Sequence, residues 1–235
     1  MTRLVRLLVY HAAAQEYSSL ADPRLDQRAR DACFGPPGTW RQALEALGVS
    51  VISGLVDWAA LGQLWEDRNV IIHRGSVVDA RHSIATGASP GTVLLPSPED
   101  VQSAIDQIGA ARYALAAAVW AHLEPGPGGM IAEGAGVPVW DCLRAGRWRQ
   151  AEGLAKVQAA FANDPEVAAT AAVNRWLAIE MGHGPEAIRE EVMRWDVTGL
   201  PATFRMARHL LLREDEEGIA MVRQLGTPRP CRDTS

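Results

Sequence analysis

The sequence predicts an all-α protein, with an N-terminal helical bundle over residues 1–123 and a C-terminal domain of helical hairpins, solenoid-like in arrangement, over 139–226. Two observations support this class. Apolar residues recur at helical spacing along most of the chain, and capping residues or prolines stand before several of these segments. The composition, 48% hydrophobic and 22% charged in 235 residues, is ordinary for a globular protein with one large core or two small ones.

Four helices are predicted in the N-terminal region. Asp57 can cap the third and Gly75 can end it, whereas Ser97-Pro98-Glu99 begins the fourth with a cap, a first-turn proline and an acid. An ordered loop with a short hairpin is predicted between these two helices. The apolar residues that keep the period of the fourth helix are Val101, Ile105, Ile108, Leu115 and Val119. The four predicted ranges are 3–20, 39–47, 57–74 and 98–123.

The stretch 124–138 contains five Gly and three Pro and predicts a linker, because its glycines do not follow a strand as those of a phosphate-binding loop would. The next segment predicts two helices joined at Gly146. A third helix is predicted from Asp164-Pro165 to Gly182, and three more follow up to residue 226. Residues 227–235 are predicted to be a disordered tail.

The cysteines and the net charge limit the classes of protein to which this chain can belong. Cys33, Cys142 and Cys231 are few and far apart, which argues against a disulfide framework or a zinc site and favours a reducing compartment. No apolar run is long enough to cross a membrane, and the N-terminal segment lacks a clear cleavage site, so a cytoplasmic protein without a membrane partner is predicted. The net charge of −5 does not indicate general nucleic-acid binding, although it leaves room for a small basic cleft.

The segment "EDRNVIIHRG" begins within the third predicted helix and places the positive charge of Arg68 in an apolar surface. Asn69 and His73 fall together at the edge of this surface. A charge there requires a partner, since burying it alone is costly. An internal acid paired with Arg68 is one alternative, and a helix-capping role is the alternative for His73. On a helical wheel Arg68 lies among Trp58, Leu61, Leu64, Trp65, Ile71 and Ile72.

With Trp65 beside it and "VVD" just after, this segment resembles the signature of HEPN-domain proteins. That superfamily of helical bundles includes many metal-independent ribonucleases of toxin–antitoxin, abortive-infection and CRISPR-associated systems. The resemblance covers about residues 1–123, and its specificity lies in residues 65–79. It implies that Arg68 and His73 form a catalytic pair, with Asn69 beside them and Glu66 as the upstream acid. One subset of the family carries a modified Tyr two residues after the His, where this chain has Gly75.

The resemblance also implies that two protomers pair these helices and form one cleft, so that Arg68 would face a partner subunit and a phosphate. Imidazole can transfer protons near neutral pH, and guanidinium binds phosphate in a two-pronged way, so the residue types suit metal-free RNA cleavage to 2′,3′-cyclic phosphate ends. No metal and no cofactor are predicted. Trp65 is expected to pack at the dimer face, with stacking on a base as the alternative.

Charged residues after the motif are candidate RNA contacts, namely Arg74, Arg81 and His82, although a solvated hairpin carrying them and Asp79 is the simpler interpretation. The sequence therefore predicts a homodimeric endoribonuclease, acting in stress response or phage defence, whose C-terminal helices could bind an antitoxin or another protein. The alternative from a different class is a non-catalytic module that dimerises through the same bundle and binds a protein.

Overall fold

The computed structural model describes residues 35–46, 48–123 and 128–226, and these are 74% helical, with ten helices and no strand. The prediction of an all-α fold is therefore confirmed. No helix in this described part is long and apolar enough to cross a membrane. The helix predicted at 3–20 and the tail predicted at 227–235 lie outside the described residues. The chain divides into two compact units, Met1–Pro127 and Gly128–Ser235.

The described part of the first unit contains four helices: α1 at Pro37–Ala46, α2 at Trp58–His73, α3 at Ala80–Thr86 and α4 at Pro98–Leu123. The predicted caps form. Asp57 accepts a hydrogen bond from the amide of Ala60 at 2.9 Å, and Ser97 exchanges hydrogen bonds with Asp100 at the start of α4. α2 packs against α1, α3 and α4. The core of this unit lies around the second half of α4, where Ala114, Leu115 and Val119 are buried.

The segment between α2 and α4 is more ordered than predicted. Val77 and Val93 form an isolated antiparallel bridge, which agrees with the expected short hairpin. The seven-residue helix α3 lies inside it and was not predicted, although Asp79 caps it in the ordinary way by accepting from the amide of His82 at 2.8 Å. The first half of α4 also differs from expectation, because Val101, Ile105 and Ile108 keep the helical period yet are exposed.

The prediction of a linker over 124–138 is wrong for residues 128–138, because helix α5 spans Gly128–Arg144. Residues 124–127 lie outside the described part. α5 buries Ile131, Ala135, Val139 and Cys142, which recur at the spacing of one helix face. Burial of this face outweighs the weak helix propensity of its glycines and of Pro138. The second unit therefore begins at Gly128 rather than at residue 139.

The remaining helices of the second unit follow the predicted order. α6 packs against both α5 and α7, and Gly146, with φ of 71°, makes the turn that was expected between α5 and α6. Trp176 of α7 packs with Ile188, Val192, Leu211 and Leu212 from the helices that follow. Their bounds are α6 at Trp148–Phe161, α7 at Pro165–His183, α8 at Glu186–Arg194, α9 at Ala202–Leu211 and α10 at Asp215–Gly226.

The end of α7 gives a test of the fold. The helix ends at His183, one residue later than predicted, and the chain leaves it at Gly184, whose φ of 89° L-residues rarely adopt. We expect Gly184→Ala to lower the free energy of unfolding by about 1–3 kcal/mol. Gly182→Ala should raise it by about 0.5–1 kcal/mol, since a Cβ there meets Trp148 at an ordinary 3.6 Å. Urea unfolding measures both, and equal effects would contradict the assigned helix end.

Candidate functional site

α2 is buried on different sides in its two halves. Leu61 is buried in the first half and Val70 in the second, while Arg68, Ile71 and Ile72 are exposed in the unit to which they belong. The apolar face that was expected to meet a core or a partner therefore meets no core along its second half, as far as the structure describes the chain. An arginine flanked by two exposed isoleucines remains on the surface.

Arg68, Asn69 and His73 come together on this surface. Nη1 of Arg68 donates to Oδ1 of Asn69 at 3.0 Å and contacts Nε2 of His73, also at 3.0 Å. Guanidinium is only a donor, so Nε2 of His73 accepts in this contact and the ring proton lies on Nδ1. Arg68 thus bonds two neutral groups, rather than the internal acid that was the alternative, and the three predicted residues form one cluster.

Trp65, one turn before Arg68 on α2, forms an aromatic pair with Trp40 and lies beside the guanidinium of Arg68. The guanidinium carbon of Arg68 lies 5.8 Å from the ring centroid of Trp65, a distance typical of a cation–π contact. Trp65 in turn packs edge-on against Trp40 of α1, with centroids 6.4 Å apart. Trp65 is therefore half-buried between α1 and Arg68, and its contacts within the unit fix the side of α2 on which the arginine lies.

The backbone after His73 determines where this helix ends. Gly75 and Ser76 have φ of 60° and 66°, and the amides of Arg74 and Ser76 both donate to the carbonyl of Val70 at 3.1 Å. Backbone groups therefore satisfy this carbonyl of the last turn. The His73 side chain is directed to Arg68, so the capping alternative does not describe its contacts.

Three polar pairs join α3 and its cap to α2, and we call them the α2–α3 contact. Oε1 of Glu66 accepts from Nη2 of Arg81 at 3.3 Å, Arg74 forms an ion pair with Asp79, and Nε2 of His82 lies 2.7 Å from Oδ1 of Asp67. The amide of His82 and the Arg74 cation hold the pKa of the Asp79 carboxyl below its usual value.

The α2–α3 contact decides which of the candidate RNA contacts are accessible. Arg81 is well exposed, and Arg74 is partly exposed beside Asp79. His82 is only 1% exposed, so the prediction that it touches RNA is wrong, and so is the solvated-hairpin interpretation for this residue. The His82 ring lies under α3 and is bonded to Asp67, so it has no exposed surface that a ligand could contact.

Sequence reasoning missed Asp67 and the helix that carries His82. The spacing of Asp79 and His82 does contain a signal, because an Asp two residues before an "RH" pair can cap a short helix. The pairing of residues 67 and 82 has no such local signal. Within the residues that the structure describes, no group of three or more His, Cys, Asp or Glu side chains is arranged to hold a metal ion.

Comparison with known proteins gave no match to this chain, either to a family model, to a curated protein or to a solved structure. The functional interpretation therefore depends on the resemblance of the "EDRNVIIHRG" segment and on the geometry of Arg68, Asn69 and His73.

Proposed function

We propose that this protein is a metal-independent endoribonuclease of the HEPN type that leaves 2′,3′-cyclic phosphate ends. One observation carries the proposal: Nη1 of Arg68 bonds both Asn69 and His73 on an exposed surface. A fixed cation thus lies within hydrogen-bond distance of an imidazole nitrogen whose electron pair can take a proton once the cation moves to the phosphate, and the cleavage step requires both groups.

The proposed step begins from this arrangement. Nε2 of His73 takes the proton of the ribose 2′-OH, and the 2′ oxygen attacks the adjacent phosphorus. Arg68 moves from His73 to the phosphate and balances the charge of the phosphorane, since guanidinium remains protonated and binds phosphate oxygens in a two-pronged way. The bond from phosphorus to the 5′ oxygen breaks, and a second histidine, in its protonated imidazolium form, gives a proton to that oxygen. DNA is not cleaved, because it lacks the 2′-OH.

The second imidazole comes from a second copy of the chain. Ile71 and Ile72 are 36% and 57% exposed beside Arg68, which suits an apolar contact between two α2 helices. Two copies related by a twofold axis place the same surface against itself, and the two His73 rings then lie in one cleft. In that arrangement one ring acts as the base and the other as the acid.

This proposal predicts that Ile72→Glu weakens the dimer. Each buried isoleucine contributes about 1.5–3 kcal/mol, and a twofold dimer loses two of them, so the dissociation constant should rise by about 10²- to 10⁴-fold. Sedimentation equilibrium measures it, and RNA cleavage should fall with the dimer fraction. Ile84→Glu is the matched control, because Ile84 is 88% exposed on α3 and lies off the α2 surface. A wild-type monomer, or equal effects of both variants, would contradict a dimer through α2.

The second unit offers a surface for a protein partner, such as an antitoxin. A groove of about 370 Å³ lies between α7 and α9. Apolar side chains line it, among them Leu177, Met181, Met206 and Leu210, and methionines adapt to varied partners. A role in toxin–antitoxin or anti-phage defence, with restraint or recruitment through these helices, is part of the proposal.

A non-catalytic dimerisation and interaction module is the second candidate. The net charge of −5 favours it, and so do the carboxylates that pair with Arg74 and Arg81 beside the site, because both reduce attraction for RNA. Cleavage of total RNA by the purified protein in excess EDTA separates the two candidates. The nuclease should leave cyclic-phosphate ends and spare DNA of the same sequence, whereas intact RNA at micromolar protein would favour the interaction module.

A further inference from the structure

The attachment of α3 to α2 depends on one buried titratable side chain. Of the seven side chains of α3, all of which the structure describes, only that of His82 is buried. Ile84, the one large aliphatic residue of this helix, points to solvent and is 88% exposed. Apolar burial within α3 itself therefore contributes little to its docking. Val78 is buried just before the cap, and the polar pairs of the α2–α3 contact join α3 to α2.

The His82 ring is held through Nε2. An ionised carboxylate only accepts, so Nε2 donates to Oδ1 of Asp67. Nδ1 lies 3.2 Å from Oγ1 of Thr86, whose hydroxyl donates to the His82 carbonyl at 2.9 Å. Gln63 donates to the same Asp67 oxygen at 2.9 Å. With the Asp79 bond to its amide, His82 links α2, the cap of α3 and the last turn of α3.

The same contact restrains the end of α2. Asp79 caps α3 and pairs with Arg74, which follows His73 directly. Only residues 75–78 connect these two groups, and Gly75 and Ser76 in that connection are both left-handed. Helix ends fray readily, and besides the backbone bonds to Val70 the last turn of α2 is held from the far side by a docked α3.

We propose that the His82–Asp67 hydrogen bond is a positioning element for His73: by docking α3 it keeps the last turn of α2 formed, and so keeps Nε2 of His73 on Arg68. The effect on the His73 ring follows from the contacts alone. Its consequence for RNA cleavage rests on the proposed function. His82 itself is a positioning residue and touches no substrate.

The first readout is the His73 ring in the full-length protein labelled with ¹⁵N-histidine. In the wild type its ring nitrogens should show one tautomer, protonated at Nδ1, because Arg68 donates to Nε2. His82→Phe fills the space but removes the bond to Asp67, so the His73 ring should become a mixture of tautomers, as in a solvated imidazole. His82→Gln keeps an N–H donor and should restore the single tautomer.

The second readout is RNA cleavage, which should fall by about 10²-fold in His82→Phe, because small displacements of a catalytic group have effects of that size. Binding of an all-deoxy oligonucleotide should be unchanged, and His82→Gln should recover most of the rate. If His82→Phe does not fold, as judged by far-UV circular dichroism, Asp67→Ala removes the acceptor at the part-exposed end of the same bond and has the same expected effects.

The outcomes separate the two proposals. An unchanged His73 tautomer in folded His82→Phe overturns the positioning role, whatever the cleavage rate. If His82→Phe changes the His73 tautomer and His82→Gln restores it, but the wild type does not cut RNA, the positioning role is supported and the nuclease proposal is excluded. A changed tautomer with a wild-type cleavage rate shows that the position of His73 does not matter for the reaction, and overturns the consequence drawn here.

Discussion

Replacement of His73 by alanine is expected to lower RNA cleavage by about 10²- to 10⁴-fold at neutral pH, the usual contribution of a positioned general acid or base. In the proposed dimer each variant cleft loses both the base and the acid, so the effect should lie towards the upper end. The measurement is the single-turnover rate on an end-labelled RNA in EDTA, with the cyclic-phosphate end identified on the product.

His183→Ala is the matched control for this substitution. His183 is also exposed, and it is also the last residue of its helix, α7, in the second unit. The His183→Ala variant should cleave RNA at the wild-type rate. Equal activity of wild type and both variants would assign the cleavage to another site or to a contaminant, and an inert wild type that is still dimeric would favour the interaction module.

Arg68→Lys is expected to reduce the cleavage rate by about 10²- to 10³-fold, even though the charge is kept, a loss similar to that of one oxyanion donor. Lysine presents a point charge and cannot bind two phosphate oxygens with a planar fork as guanidinium does. Rates at several RNA concentrations should show the loss in kcat more than in KM, since the arginine acts mainly on the charge of the transition state.

Arg189→Lys serves as the control, because Arg189 is an exposed arginine on α8 of the second unit. Expression in cells adds a test without purification: the wild type should slow growth, and Arg68→Ala should not. Full cleavage by Arg68→Lys would show that a positive charge alone suffices, so that two-pronged binding of phosphate by Arg68 would not be part of the mechanism.

Local signals predicted most of the helices. Asp57, the Ser97-Pro98 pair and Asp164-Pro165 begin helices where the sequence placed them, because a cap and its first turn are neighbours in the chain. The same local logic failed over 128–138, where glycines and Pro138 indicated a linker. The burial of Ile131, Ala135 and Val139 in the second unit makes that stretch helical, and this gain depends on residues distant in sequence.

For the candidate site, the sequence by itself determined that Asn69 and His73, which are four residues apart, share one side of a helix, with Arg68 about 100° around the helix from Asn69. Only the tertiary structure decided that Arg68 bonds both of them on the surface and that His82, 15 positions from Asp67, is buried against it. The physical reason is that helical periodicity is a local property. Burial and long-range polar pairing depend on where the loop after α2 folds back, which no short spacing encodes.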